Sequence, residues 1–169
     1  MTSDTISLIA NLALTLSFIV ALVFGVAQVN AASRDRRERL TLETLRSFQT
    51  REFAELLHYI SIHTMPSTGK GMEHLPSNER IIIIQFGQKM ESLGMLVAER
   101  LIDIDLVDKT LGSFVTTAWE KYKKMFLDLR ETQPDPFLGE YFQWLAERID
   151  ERMKKSPRKP FYEVGPHSS

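Results

Sequence analysis

Residues 6–29 read ISLIANLALTLSFIVALVFGVAQV, and the interpretation of this stretch decides the fold. No Asp, Glu, Lys or Arg occurs between Thr5 and Ser33, and Arg34, Arg36, Arg37 and Arg39 follow at once. A helix of these 24 residues, rising about 1.5 Å per residue, is roughly 36 Å long, enough to cross a hydrocarbon core of about 30 Å with some tilt. The stretch predicts one transmembrane helix, preceded by a short extracytoplasmic segment, residues 1–5, and followed by a helical domain.

A cleaved signal peptide is the rival interpretation. Such peptides carry a positive n-region and an apolar run of about 7–15 residues. Here the only charged side chain before the run is Asp4, and the run is far longer. An anchor is therefore expected. The Lys/Arg bias lies wholly on the C-terminal side, which predicts the plasma (inner) membrane with the N-terminus outside and the helical domain cytoplasmic. Within the span, Ala13, Ser17, Ala21 and Gly25 recur every four residues, a spacing that lets two helices approach closely in lipid. They form a candidate pairing face for a second copy or another membrane protein. Arg34, Arg36, Arg37 and Arg39 fall where anionic headgroups would be, although any such anchor carries a positive flank.

The composition bounds the rest. The chain has 169 residues, 43% hydrophobic and 25% charged, which suits a folded domain. A net charge of −1 argues against a nucleic-acid binder, which is normally clearly basic. The absence of cysteine excludes disulfides, Fe–S clusters and cysteine nucleophiles, and agrees with a cytoplasmic domain.

Helical periodicity organises residues 30–155. A juxtamembrane helix over 30–64 buries Leu42, Leu45, Phe48, Phe53, Leu56, Leu57 and Ile60. Residues 65–78, with Pro66, Gly69, Gly71 and Pro76, predict a flexible loop and a place for a partner to touch, with Ser77 or Asn78 capping the next helix. That helix, Glu79 to Leu101, carries Ile82, Ile83, Phe86, Met90, Leu93 and Val97 on one face, and Gly87 and Gly94 on another that permits close approach. Asp105 is expected to cap a short helix ending at Gly112. A longer helix, Ser113 to Glu131, stops at Pro134 and Pro136. The last helix runs from Phe137 to Met153, before a tail, 156–169, expected to be disordered. The fold class is all-α: one transmembrane helix, then an antiparallel bundle of about four helices with its core in 79–155.

Several of these positions carry a resemblance. Phe86-Gly87, Glu91-Ser92-Leu93-Gly94, Leu101-Ile102-Asp103, Leu106-Val107, Leu111-Gly112, Trp119, Leu129-Arg130 and Tyr141-Phe142-Gln143-Trp144-Leu145 occur in order. The stretch resembles an uncharacterised bacterial family of small helical proteins with an N-terminal membrane segment, a domain of unknown function. The resemblance implies an all-α domain and a single anchor. It implies no activity and no catalytic residue.

Chemistry-bearing motifs are scarce. His58 and His63, five apart on a helix, point about 140° away from each other, a poor arrangement for one metal. Glu55 and His58 form one Glu-x-x-His pair, but a di-iron bundle needs two. Gly69-Lys70-Gly71 lacks the spacing of a phosphate-binding loop and a preceding strand. No cofactor, metal or enzymatic activity is expected. Two charged constellations remain. Glu91 and Arg130 could meet as a structural ion pair if their helices pack antiparallel. Arg152, Lys154, Lys155, Arg158 and Lys159 form a second basic patch, by default a solvated helix end that suits the macrodipole. The expected function is a non-catalytic, membrane-anchored interaction or scaffold module, with membrane lipid and an unidentified protein as partners. The alternative is a peripheral sensor or lipid-surface module using the basic patches; an unrecognised enzyme is more remote, and nucleic acid is not expected.

Overall fold

The structure, a computed structural model, describes residues 3–133, 135–157 and 163. It divides into two units, Met1–Arg39 and Leu40–Ser169.

The first unit is a single helix, the greater part of α1 (Ser3–Ser47). Its large apolar side chains are exposed. Leu12, Phe18 and Phe24 are 71%, 70% and 68% exposed, and steps of six residues place them about 240° apart, so they sample the whole circumference. Thr15 donates its hydroxyl to the Asn11 carbonyl at 2.8 Å, so its donor is used within the helix. α1 is long and apolar enough to cross a membrane.

The second unit is an all-α bundle. The end of α1 is followed by α2 (Arg51–Ile62), α3 (Gly69–Glu73), α4 (Ser77–Ala98), α5 (Ile104–Thr132) and α6 (Glu140–Lys155). α4 packs on α6 and α2, and α5 on α6 and α3. α4 also has the length and hydropathy of a membrane span, but Ile83, Phe86, Met90, Leu93 and Val97 are buried in the bundle. It is a core helix. The centre is aromatic. Phe86 stacks on Tyr122 at 5.6 Å between ring centroids, and Phe142 meets Trp119 edge-on at 5.3 Å and Tyr122 at 5.9 Å. These spacings lie within the range favoured by aromatic pairs.

Several expected boundaries move, each for a local reason. The expected helix over 30–64 is two helices. Thr50 accepts from Phe53 N at 3.2 Å and starts α2, while Phe48 packs edge-on against Phe53 at 4.8 Å, fixing the corner. Residues 65–78, expected as a flexible loop, contain α3, capped by Thr68 through Gly71 N at 3.1 Å, and Met65 is buried. Neither Ser77 nor Asn78 caps α4. Pro76 occupies that position without a side-chain bond.

α5 is capped by Asp103, not Asp105, because the Asp103 carboxylate accepts from Asp105 N at 2.7 Å. It runs unbroken through Gly112, where a helix end was expected. A Cβ at Gly112 would lie 2.6 Å from Asp108 Oδ1 and 3.3 Å from Ile149 Cγ2. The glycine thus serves close packing inside a helix, and the propensity cost of about 1 kcal/mol is absorbed by that packing. α6 starts at Glu140 rather than Phe137, since Gly139 at φ 72° turns the chain into it.

Candidate functional site

The isoleucine run Ile81–Ile84 sits in the second turn of α4, and successive side chains rotate by about 100°. Ile83 enters the core, while Ile81 and Ile84 are 54% and 48% exposed. Ile82 and Ile84 line two different clefts on either side of α4.

The first cleft, about 910 Å³, lies between the end of α1, α2 and α4. Its apolar floor includes Phe48, Leu56 and Leu93, and Glu43, Glu52 and Glu55 stand along it. Lys89 lies 5.9 Å from the Phe48 ring centroid. The Glu52 carboxyl is held below the usual range, first by a backbone N–H bond, then by the Thr50 hydroxyl, with a smaller contribution from Lys89. Glu55 is paired with Arg51 at 2.8 Å, both exposed.

The second cleft, about 440 Å³, lies between α3, α4, α5 and the turn before α6. Met72, Ile84, Met125, Phe126, Leu129 and Leu138 give it apolar walls. Its volume falls in the roughly 300–1,000 Å³ range of small-molecule sites. Tyr122 at its floor donates to the Ile83 carbonyl at 2.9 Å, and burial pushes its hydroxyl well above the ordinary tyrosine range. Tyr59, half-buried nearer the start of α4, donates to Glu79 Oε2 at 2.6 Å. Burial, followed by that bond and the carboxylate charge, pushes Tyr59 up to about 12.

The frame around these clefts is held by charged side chains that cap helices distant in sequence. Glu91 on α4 accepts from Tyr141 N at 3.2 Å and Phe142 N at 2.9 Å, at the start of α6. Asp128 on α5 accepts from Gly69 N at 2.7 Å, at the start of α3. Lys121 on α5 donates to the carbonyls of Ile60 and Ser61 at 2.5 and 2.7 Å, at the end of α2. Carboxylates at N-termini and an ammonium at a C-terminus satisfy orphan backbone groups and match the helix dipole. The Thr41 hydroxyl, fully buried, accepts from Asp103 N at 3.0 Å and ties α1 to the start of α5. Sequence periodicity does not reveal these roles, because the partners lie 50 to 62 residues apart.

The expected ion pair between Glu91 and Arg130 does not form. While Glu91 caps α6, Arg130 donates from Nε to the Leu138 carbonyl at 2.7 Å and from Nη1 to Gln143 Oε1 at 2.6 Å. Both residues hold the start of α6, each through its own partners, because the backbone groups of that turn and helix end are the nearer ligands.

Ala13, Ser17, Ala21 and Gly25 lie exposed on α1, and a Cβ at Gly25 would meet nothing within 4 Å. Of the arginines after the span, Arg34 pairs with Glu38 at 3.0 Å on its own helix; Arg36, Arg37 and Arg39 are exposed. In the second basic patch, Arg152 pairs with Asp105 and lies 3.8 Å from the buried Asp108. Lys154 pairs with Asp150, whose hydrogen bond and charge raise the lysine above its usual value. Lys155 is exposed, and Arg158 and Lys159 lie outside the described residues, as does most of the tail expected to be disordered. The patch is therefore partly neutralised by acidic neighbours. His63 stacks on Tyr59 with centroids 4.0 Å apart. Among the described residues, no three His, Asp or Glu side chains are grouped to hold a metal ion.

No curated protein and no solved structure matches the chain. One protein family does, over residues 12–149, from within the apolar helix to α6. The chain belongs to that family, DUF4760, a domain of unknown function.

Proposed function

We propose that the chain is a single-pass protein of the plasma membrane whose helical bundle stands on the cytoplasmic side and acts as a non-catalytic interaction module. One observation carries this reading. The large apolar side chains of residues 6–29 are exposed around the entire helix, while the bundle buries its own core. Exposed apolar area of that extent is unfavourable in water by roughly 25 cal/mol per Å², and lipid removes the cost. The arginines that follow the span support the orientation. The acidic partners of Arg34, Arg152 and Lys154 favour a plain positive flank over recognition of a particular lipid.

Anchoring serves by position: it concentrates the bundle, and the two clefts beside α4, at one membrane face. Affinity capture of the full-length chain from gently solubilised membranes tests the interaction role. A protein recovered with it at fixed ratio, and lost when bundle-surface residues are changed, is the expected result. Recovery of the chain alone under all mild conditions contradicts it.

A further inference from the structure

The first cleft carries an excess of negative charge over an apolar floor. Among the described residues, Glu43, Glu52 and Glu55 line it against a single cation, Lys89. The Lys89 ammonium sits over the Phe48 ring, and Glu55 spends one oxygen on Arg51. All three glutamates are exposed, while Leu56 and Leu93 on the floor are buried. An occupant complementary to this surface brings positive charge next to apolar side chains.

The chain itself supplies such a segment. After α6 it continues as Ser156-Pro157-Arg158-Lys159-Pro160-Phe161-Tyr162, two cations followed by two aromatic residues. Pro157 and Pro160 disfavour helix in this stretch. The end of α6 is linked to the α1 side of the cleft through three contacts. Arg152 pairs with Asp105, the Asp103 carboxylate accepts from Asp105 N, and Asp103 N donates to Thr41 Oγ1. Thr41 precedes Glu43 by two positions. The residues from Ser156 to Tyr162, up to about 25 Å long when extended, can follow this path. Such a short tether holds the segment at an effective concentration in the millimolar range, so contacts too weak to hold a free peptide suffice.

We propose that residues 158–162 of the chain's own C-terminal segment dock in the first cleft, with Arg158 and Lys159 against its carboxylates and Phe161 and Tyr162 on its apolar floor. An outside protein that uses this cleft has to displace them. The inference stands independently of the topology and the partner proposed above.

The test uses the full-length protein in lipid nanodiscs and its freedom from cysteine. Val164→Cys is combined with Ser92→Cys, exposed in the cleft, or with Ser113→Cys, exposed on α5 outside its lining, and treated with a short bismaleimide. Gly112 packs beside Ile149 on α6, so Ser113 lies within reach of the same tether. In nanodiscs of zwitterionic or anionic lipid, cross-linking within one chain is expected to be about tenfold faster to Ser92→Cys. Glu43→Lys with Glu55→Lys lowers that rate about fivefold, the worth of two exposed charge pairs. Arg158→Glu with Lys159→Glu lowers it equally while leaving the bundle unaltered, and the two pairs of reversals together restore it. Equal rates to the two positions, products only between chains, loss of the preference in anionic lipid, or no restoration by the combined reversals each overturns the proposal.

Discussion

The Lys121 ammonium lies 2.5 Å from the carbonyl oxygen of Ile60, although 61 residues separate them. It also reaches the carbonyls of Ser61 and His63. One side chain of α5 thus closes the C-terminal turn of α2, where unpaired carbonyls carry the negative end of the helix dipole. Lys121→Met keeps the length and removes the donors. It is expected to lower stability by about 1–2 kcal/mol, read from the urea midpoint of the full-length protein. An unchanged midpoint contradicts the assignment.

Two glycines of α4 make opposite predictions. A Cβ at Gly94 would fall on the Tyr141 carbonyl, which is backbone and cannot step aside. Gly94→Ala is expected to cost about 3 kcal/mol or more, an overpacking penalty at the α4–α6 crossing. At Gly87 the nearest atom to a new Cβ is Phe126 Cζ at 3.5 Å, an ordinary contact. Gly87→Ala is expected to be neutral or to stabilise by up to about 1 kcal/mol through helix propensity. Thermal unfolding of the two variants side by side separates these outcomes; equal shifts would count against the packing described.

Asp128 bonds to Gly69 N at 2.7 Å and, together with the Thr68 cap, fixes the start of α3. Replacing it with Asn weakens a charge-assisted bond worth roughly 1.5–3 kcal/mol. The effect should be local. Hydrogen exchange of residues 69–75 is expected to accelerate, while α4 and α6 keep their protection. Slow exchange at 69–75 in Asp128→Asn would show that α3 is held by other means.

Alkaline pH acts through two tyrosines. Tyr59 is raised from 10.0 to about 12, and Tyr122 is raised further by burial. In both cases the folded state keeps a proton that the unfolded chain releases near pH 10, so stability falls as pH rises through that window. Below it, the contribution is fully present. Tyr59→Phe removes the titrating group and is expected to flatten the fall in unfolding temperature between about pH 10 and 12. Parallel pH profiles for the wild-type protein and Tyr59→Phe would refute the coupling.

Much of this architecture is legible along the chain because its cause is local. The period of Phe86, Met90, Leu93 and Val97 places the buried face of α4, and the absence of charge between Thr5 and Ser33 marks the apolar helix. Gly94 reads correctly as a point of close approach. Gly112 does not read as helix interior, because what retains it there is the space needed by Asp108 and Ile149, not a local signal. Thr50 breaks the expected helix over 30–64 by capping, a feature visible in sequence but masked by continuous apolar spacing. Glu91 and Arg130 are placed at the right junction but with the wrong partners, since backbone amides and carbonyls leave no mark in a sequence. The clefts are invisible for the same reason: each is built from three or more elements, and only the four isoleucines hint that α4 has apolar residues to spare.

Residues 6–29 are proposed to span the membrane with the bundle on the cytoplasmic side. The chain contains no cysteine, so single substitutions give an unambiguous readout. Ser3→Cys and Ser156→Cys, each in the full-length protein, can be exposed to a membrane-impermeant maleimide in intact cells and after permeabilisation. The expected result is labelling of Ser3→Cys in intact cells and of Ser156→Cys only once the membrane is opened. Labelling of Ser156→Cys in intact cells, or release of the protein from membranes by alkaline carbonate, contradicts the account.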